Sequence, residues 1–91
     1  MEVPGGRWTL PGVSPTILRY GSLRFFFYSR EEERPHVHVS SPDGEAKIWL
    51  EPEVALEWRD GIGRKDLRTA IRVAEEHRDD FKTAWQRYFA G

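Results

Sequence analysis

His36 and His38 stand two residues apart in the string Arg34-Pro35-His36-Val37-His38-Val39. On an extended strand alternate side chains share one side and lie about 6.6 Å apart along the chain, so both imidazoles face the same way. Two imidazoles so placed suit two kinds of chemistry. As an acid–base pair, one neutral ring takes the proton of a ribose 2′-hydroxyl and one imidazolium protonates the leaving oxygen, while Lys47 or Arg24 stabilises the phosphorane charge. That scheme cleaves a phosphodiester without a metal or any other cofactor. As zinc ligands the pair needs a third or fourth donor, and in a chain with no cysteine this must be Asp43, Glu45, Glu51 or His77. His77 falls in a helical segment behind the sheet and is badly placed. A third reading is structural, because His36 follows Pro35 and can simply shape a loop mouth.

The elements that must position these residues are short. Residues 1–13 carry Pro4, Gly5, Gly6, Pro11 and Gly12, a density of chain punctuators that reads as a flexible arm. Residues 14–91 read as one domain. From residue 14 to about 60 the pattern is β-branched and aromatic runs cut by turn signals. Strands are expected at 16–20, 23–29, 36–41 and 45–51, with Pro42-Asp43-Gly44 as a tight hairpin turn. Residues 54–58 fit an edge strand or a short helical turn equally well. Beyond Gly63, Leu67, Ile71, Ala74, Arg78, Phe81, Trp85 and Tyr88 recur at steps of four and three, one face of a single long helix. Gly63 and Asp66 have the spacing of a capping box, with glycine in place of the hydroxyl residue. The expected fold is therefore α+β: a small antiparallel sheet of about four strands packed on one C-terminal helix. A helix over 64–90 spans about 40 Å against about 20 Å for a six-residue strand. Phe81, Trp85, Tyr88 and Phe89 would then outrun the sheet and need cover from the arm, through Trp8, Leu10 and Val13, or from a second chain in a homodimer.

Alternation sorts the strands into two faces. Leu23, Phe25, Phe27, Val37, Val39, Ala46, Ile48 and Leu50 form the floor for the helix. A two-residue hairpin loop puts His38 opposite Lys47 if it is Pro42-Asp43, or opposite Trp49 if it is Asp43-Gly44; a one-residue slip would scramble both faces. The other face collects Arg24, Phe26, Tyr28, His36, His38, Lys47, Trp49 and Glu51. Rings for bases and cations for phosphates are what a single-stranded RNA platform needs, with Arg24, Phe26, Tyr28 and Trp49 as contacts. Cross-strand aromatic pairs also stabilise sheets by about 0.2–1 kcal/mol each, so the same face can be structural. Arg64, Lys65, Arg68 and Arg72 crowd the helix start, at the wrong end for the macrodipole, and read either as a partner contact or as a solvated face.

Ninety-one residues, 38% hydrophobic and 32% charged, hold one core and no room for a bulky interior cofactor. Net charge is −1, so any attraction for nucleic acid must be local. The absence of cysteine excludes disulfides, cysteine-ligated zinc, iron–sulfur clusters and a thiol nucleophile. The first residues have neither the basic nor the apolar region of a signal peptide, and no apolar run approaches the roughly 20 residues that cross a bilayer. The expected compartment is the cytosol, with no membrane partner.

Several strings together carry a family likeness: Pro15-Thr16-Ile17 with Arg19 and Gly21, Leu23-Arg24-Phe25-Phe26-Phe27, Arg34-Pro35-His36-Val37-His38-Val39, Ala46-Lys47-Ile48-Trp49-Leu50, and a closing helix with Trp85. Over residues 14–90 the chain resembles the small bacterial domain of unknown function 4160 family. The resemblance implies the toxin-like half of a two-gene toxin–antitoxin-type module, with a small antitoxin-like protein encoded nearby as partner. It identifies no target and no reaction. The reading carried forward is a small domain that engages RNA or the translation machinery through its His/aromatic/basic face, as a metal-independent ribonuclease using His36, His38 and Lys47 or by binding alone. Its rivals are a non-catalytic protein-binding or assembly module and a His-x-His metal site.

Overall fold

A computed structural model describes residues 2–3, 6–8, 16–28 and 34–89, with side chains placed over 16–28 and 34–89. Seven strands follow one another in sequence order and pair antiparallel throughout: β1 (Glu2–Val3), β2 (Gly6–Trp8), β3 (Thr16–Tyr20), β4 (Leu23–Phe26), β5 (His36–Ser41), β6 (Gly44–Trp49) and β7 (Ala55–Asp60). The five from β3 to β7 form the body of the sheet. Two short strands thus pair within the segment expected to be an arm, and the rest of that segment, with the proposed cover by Trp8, Leu10 and Val13, lies outside the described residues. Residues 54–58, ambiguous by pattern, resolve as most of the edge strand β7. The expected strand over 23–29 leaves the ladder after Phe26, and Phe27 and Tyr28 continue beyond it.

The turns explain the register. Tyr20 pairs with Leu23 across Gly21-Ser22, and Gly21 alone takes a positive φ of 59°, the pattern of a type II′ hairpin. Ser41 pairs with Gly44, so the next loop is Pro42-Asp43; the Ser41 hydroxyl accepts from the amides of Asp43 and Gly44, both at 3.2 Å. His38 consequently lies opposite Lys47. Gly44 is held by close approach: a Cβ there would lie 2.0 Å from the Asp60 carbonyl oxygen. Gly44→Ala should therefore lower the unfolding free energy by about 1–3 kcal/mol, the usual cost of forcing atoms into a filled space, as read by urea unfolding.

Ile17, Leu18, Leu23, Phe25, Phe27, Val37, Val39, Ala46, Ile48 and Leu50 pack under two helices, α1 (Arg64–Glu76) and α2 (Arg78–Phe89). Gly63 is the N-cap of α1 as expected, though Asp66 makes no side-chain cap. Leu67, Ala70, Val73 and Ala74 are the buried stripe of α1.

The single long helix is corrected. His77 leaves helical geometry at φ −113° and ψ 21°, although its amide still reaches Val73 O and its carbonyl still accepts from Phe81. Beyond the break α2 packs on the sheet, where Phe81 meets Phe25 at 5.4 Å between ring centroids and Trp85 meets Phe27 at 5.4 Å. The His77 amide and carbonyl keep their helical partners across the break, while burying one large apolar side chain gains about 1.5–3 kcal/mol. Phe81 and Trp85 are thereby buried, and Tyr88 and Phe89 pack partly against the same core around Phe27. Phe81 and Trp85 are thus covered within the chain, while Tyr88 and Phe89 stay partly exposed.

Candidate binding face on the outer side of the sheet

The register lines up one row across the sheet on the side away from the helices: Thr16, Phe26, His38, Lys47 and Trp58, each the pairing partner of the next. Beside it run His36 opposite Trp49, and Arg24, Ser40 and Glu45. In β7 the pairing steps from Trp58 opposite Lys47 to Leu56 opposite Ile48, so Glu57 is the extra residue of a bulge. The bulge lets two neighbours serve one face. The Trp49 indole N–H donates to Glu57 Oε2 at 2.6 Å, and the Trp58 ring lies 6.0 Å from that of His38.

The expected residues are brought together, but as a closed stack. His38 is 4% exposed, with Phe26 stacked on it at 5.6 Å and Tyr28 edge-on at 4.4 Å. His36 is fully buried among His38 at 5.1 Å, Trp49 at 5.5 Å and Trp85 at 4.8 Å. Its Nδ1 lies 2.8 Å from the Arg34 carbonyl oxygen, which can only accept, so Nδ1 carries the proton and donates. The cations already occupy rings: Arg34 stands 4.1 Å and Lys47 4.5 Å from the Trp49 ring, and Arg24 4.3 Å from Phe26 while donating to Thr16 Oγ1 at 2.9 Å. The Tyr28 hydroxyl donates to Glu45 Oε2 at 3.0 Å.

This geometry bears on the acid–base reading of His36, His38 and Lys47. General catalysis requires each imidazole to reach a substrate proton at about 2.6–3.2 Å or through one water. His36 is walled off by Trp49 and Trp85, the two histidine rings meet edge to face, and Lys47 is nine-tenths buried over Trp49. No three His, Asp or Glu side chains converge among the described residues in a way that could hold a metal ion; His77 packs beside Phe81 on the helical side. The RNA-platform assignment weakens for a different reason. Arg24, Arg34 and Lys47 share the face with Glu45 and Glu57, and the ring faces a base would use at Phe26 and Trp49 are already covered by cations.

What remains open is aromatic. Tyr28 is 45% exposed, Trp58 39% and Leu56 38%, the exposed large hydrophobics among the described residues. Tyr28 and Trp58 flank His38 and make one patch, with Leu56 two residues away on the edge strand. Trp58, Glu57 and Arg34 were not singled out by sequence reasoning. The alternation in 54–58 was visible, but the bulge that turns Glu57 and Trp58 to one face leaves no mark in residue types.

The model of a domain of unknown function, DUF4160, matches residues 22–86. The chain belongs to the DUF4160 family. The match starts at the turn before β4 and ends within α2, so the outer-face residues from Arg24 to Trp58 all fall inside the DUF4160 domain, while β1 to β3 precede the matched region. Neither the curated proteins nor the solved structures hold a significant match to this chain. No helix among the described residues is long and apolar enough to cross a membrane.

Proposed function

We propose that this DUF4160 domain is the toxin-like half of a two-protein module and that it acts by binding a protein through the Tyr28–Trp58 patch, without catalysis of its own. The observation that carries the binding reading is the pair of exposed rings on either side of a buried, immobilised His38. Tyrosine and tryptophan on a rigid strand framework give large contact area at little entropic cost, and a surrounding set of paired charges excludes water without demanding a charged partner. The toxin-like role rests on the family resemblance.

The test is growth after induction of the wild-type chain in a bacterial host beside the double variant Tyr28→Ser with Trp58→Ser. The wild type is expected to slow growth and the variant to restore it. Each substitution should cost about 1–2 kcal/mol, because both rings are more than half covered, and urea unfolding checks that the variant stays folded. Growth arrest by both proteins would move the active surface elsewhere, and arrest by neither would remove the toxin-like role in that host. RNA binding that strengthens steeply as salt falls would favour the nucleic-acid reading instead.

A further inference from the structure

Arg34, Arg78 and Lys82 converge, with Glu51 and Pro52, around a surface cavity of about 390 Å³ where the segment after β6 meets the start of α2. Three cations against one carboxylate leave a formal local charge of +2 in a chain whose net charge is −1.

What orients the two arginines is neutral. Arg78 Nε donates to Leu50 O at 2.8 Å and its Nη2 to Pro52 O at 3.0 Å; Arg34 Nε donates to Glu51 O at 2.7 Å. Carbonyl oxygens fix a guanidinium without cancelling its charge, so the two arginines are preorganised and still fully cationic. The carboxylate nearest Arg78, that of Asp79, lies 3.6 Å away and is 94% exposed, which leaves it a weak counter-ion. Lys82 gives one of its three N–H groups to Glu51 Oε1 at 2.8 Å. Among the described residues the Nη groups of Arg34, whose guanidinium lies 4.1 Å over the Trp49 ring, and two N–H groups of Lys82 make no further hydrogen bond, and Nη1 of Arg78 meets only the exposed Asp79 carboxylate.

We propose that this cavity binds a phosphate group. Its charge of +2 matches a dianion, and donors from three separate side chains suit tetrahedral oxygens better than a planar carboxylate, which one arginine satisfies in a single fork. Glu51 is the built-in competitor. The hydrogen bond from Lys82 holds its carboxyl below the ordinary carboxylate range, with the Lys82, Arg78 and Arg34 charges adding to that effect. A depressed folded pKa means the Lys82–Glu51 attraction is present above the ordinary range and fades only as pH falls through the folded value. Around neutral pH Glu51 is thus ionised, and an incoming phosphate must compete with it for Lys82. The site is separate from the Tyr28–Trp58 patch and does not depend on its role.

The experiment follows the Arg34 and Arg78 side-chain N–H signals of the intact chain by NMR during titration with inorganic phosphate, and separately with adenosine 5′-monophosphate, at constant ionic strength held with sodium chloride. Saturable shifts are expected. Lys82→Gln should weaken binding and Glu51→Gln should tighten it, each by about three- to ten-fold, as expected for changing one unit charge near a protein surface. Opposite signs from two neighbouring substitutions distinguish a binding site from a structural latch, whose loss would weaken both. Tighter binding of the nucleotide would identify a phosphate ester as the ligand; equal binding would identify the bare anion. Shifts that drift without saturating, or that are the same in all three proteins, would overturn the proposal.

Discussion

Trp85→Ala is expected to lower the unfolding free energy by about 3–5 kcal/mol while leaving the molecular mass in solution unchanged. The indole is 6% exposed and touches Phe27 at 5.4 Å, His36 at 4.8 Å and Phe89 at 4.2 Å between ring centroids. Its removal leaves a cavity between α2 and the end of the sheet, and the neighbouring aromatic rings are too rigid to collapse into it. Urea unfolding gives the energy and light scattering the mass. A dimeric wild type that dissociates on this substitution, with little loss of stability, would instead give Trp85 an intermolecular role.

His36→Ala is expected to cost about 2–4 kcal/mol of stability, combining lost ring packing with loss of the part-buried hydrogen bond to the Arg34 carbonyl. The ring is fully buried and its Nδ1–H holds the Arg34 carbonyl, the residue that begins the approach to β5. His36→Asn places an N–H donor near the same position and should recover part of the loss. Chemical denaturation of the three proteins checks the order wild type, Asn, Ala. If both variants were as stable as the wild type while some activity disappeared, His36 would regain a chemical role. The expected pattern makes His36 a staple at the mouth of the strand, the structural reading that Pro35 before it already suggested.

Much of the framework is written in local residue types. The period-two runs place β3 and β5 at their observed bounds and β6 within two residues, and Gly63 marks the start of α1. Side-chain alternation sorts Val37, Val39, Ala46 and Ile48 from His36, His38, Lys47 and Trp49, because the pleat forces neighbours to opposite faces. A two-residue loop, one of two such choices the sequence allowed, put His38 beside Lys47. Family membership was legible for the same reason: the Pro-His-x-His-Val string and its neighbours are contiguous.

The rest depends on packing between distant residues. No proline or glycine lies near His77 to announce a break, and period alone favoured one straight helix. Beyond the break Phe81 and Trp85 are buried against Phe25 and Phe27, a contact between segments more than 50 residues apart that no local pattern shows. Sequence alternation showed which side His36 and His38 take, but not that Trp85, Tyr28 and Phe26 close over them, and that closure makes both rings part of a packed aromatic stack. The sequence alone determined the fold class, the family and much of the outer face, but not Arg34, Glu57 and Trp58, and it placed Glu51 there although Glu51 pairs with Lys82 of α2. Only the tertiary structure decided which of those side chains still meet solvent, because burial is a property of what the other elements leave uncovered, and here they leave Tyr28, Leu56 and Trp58.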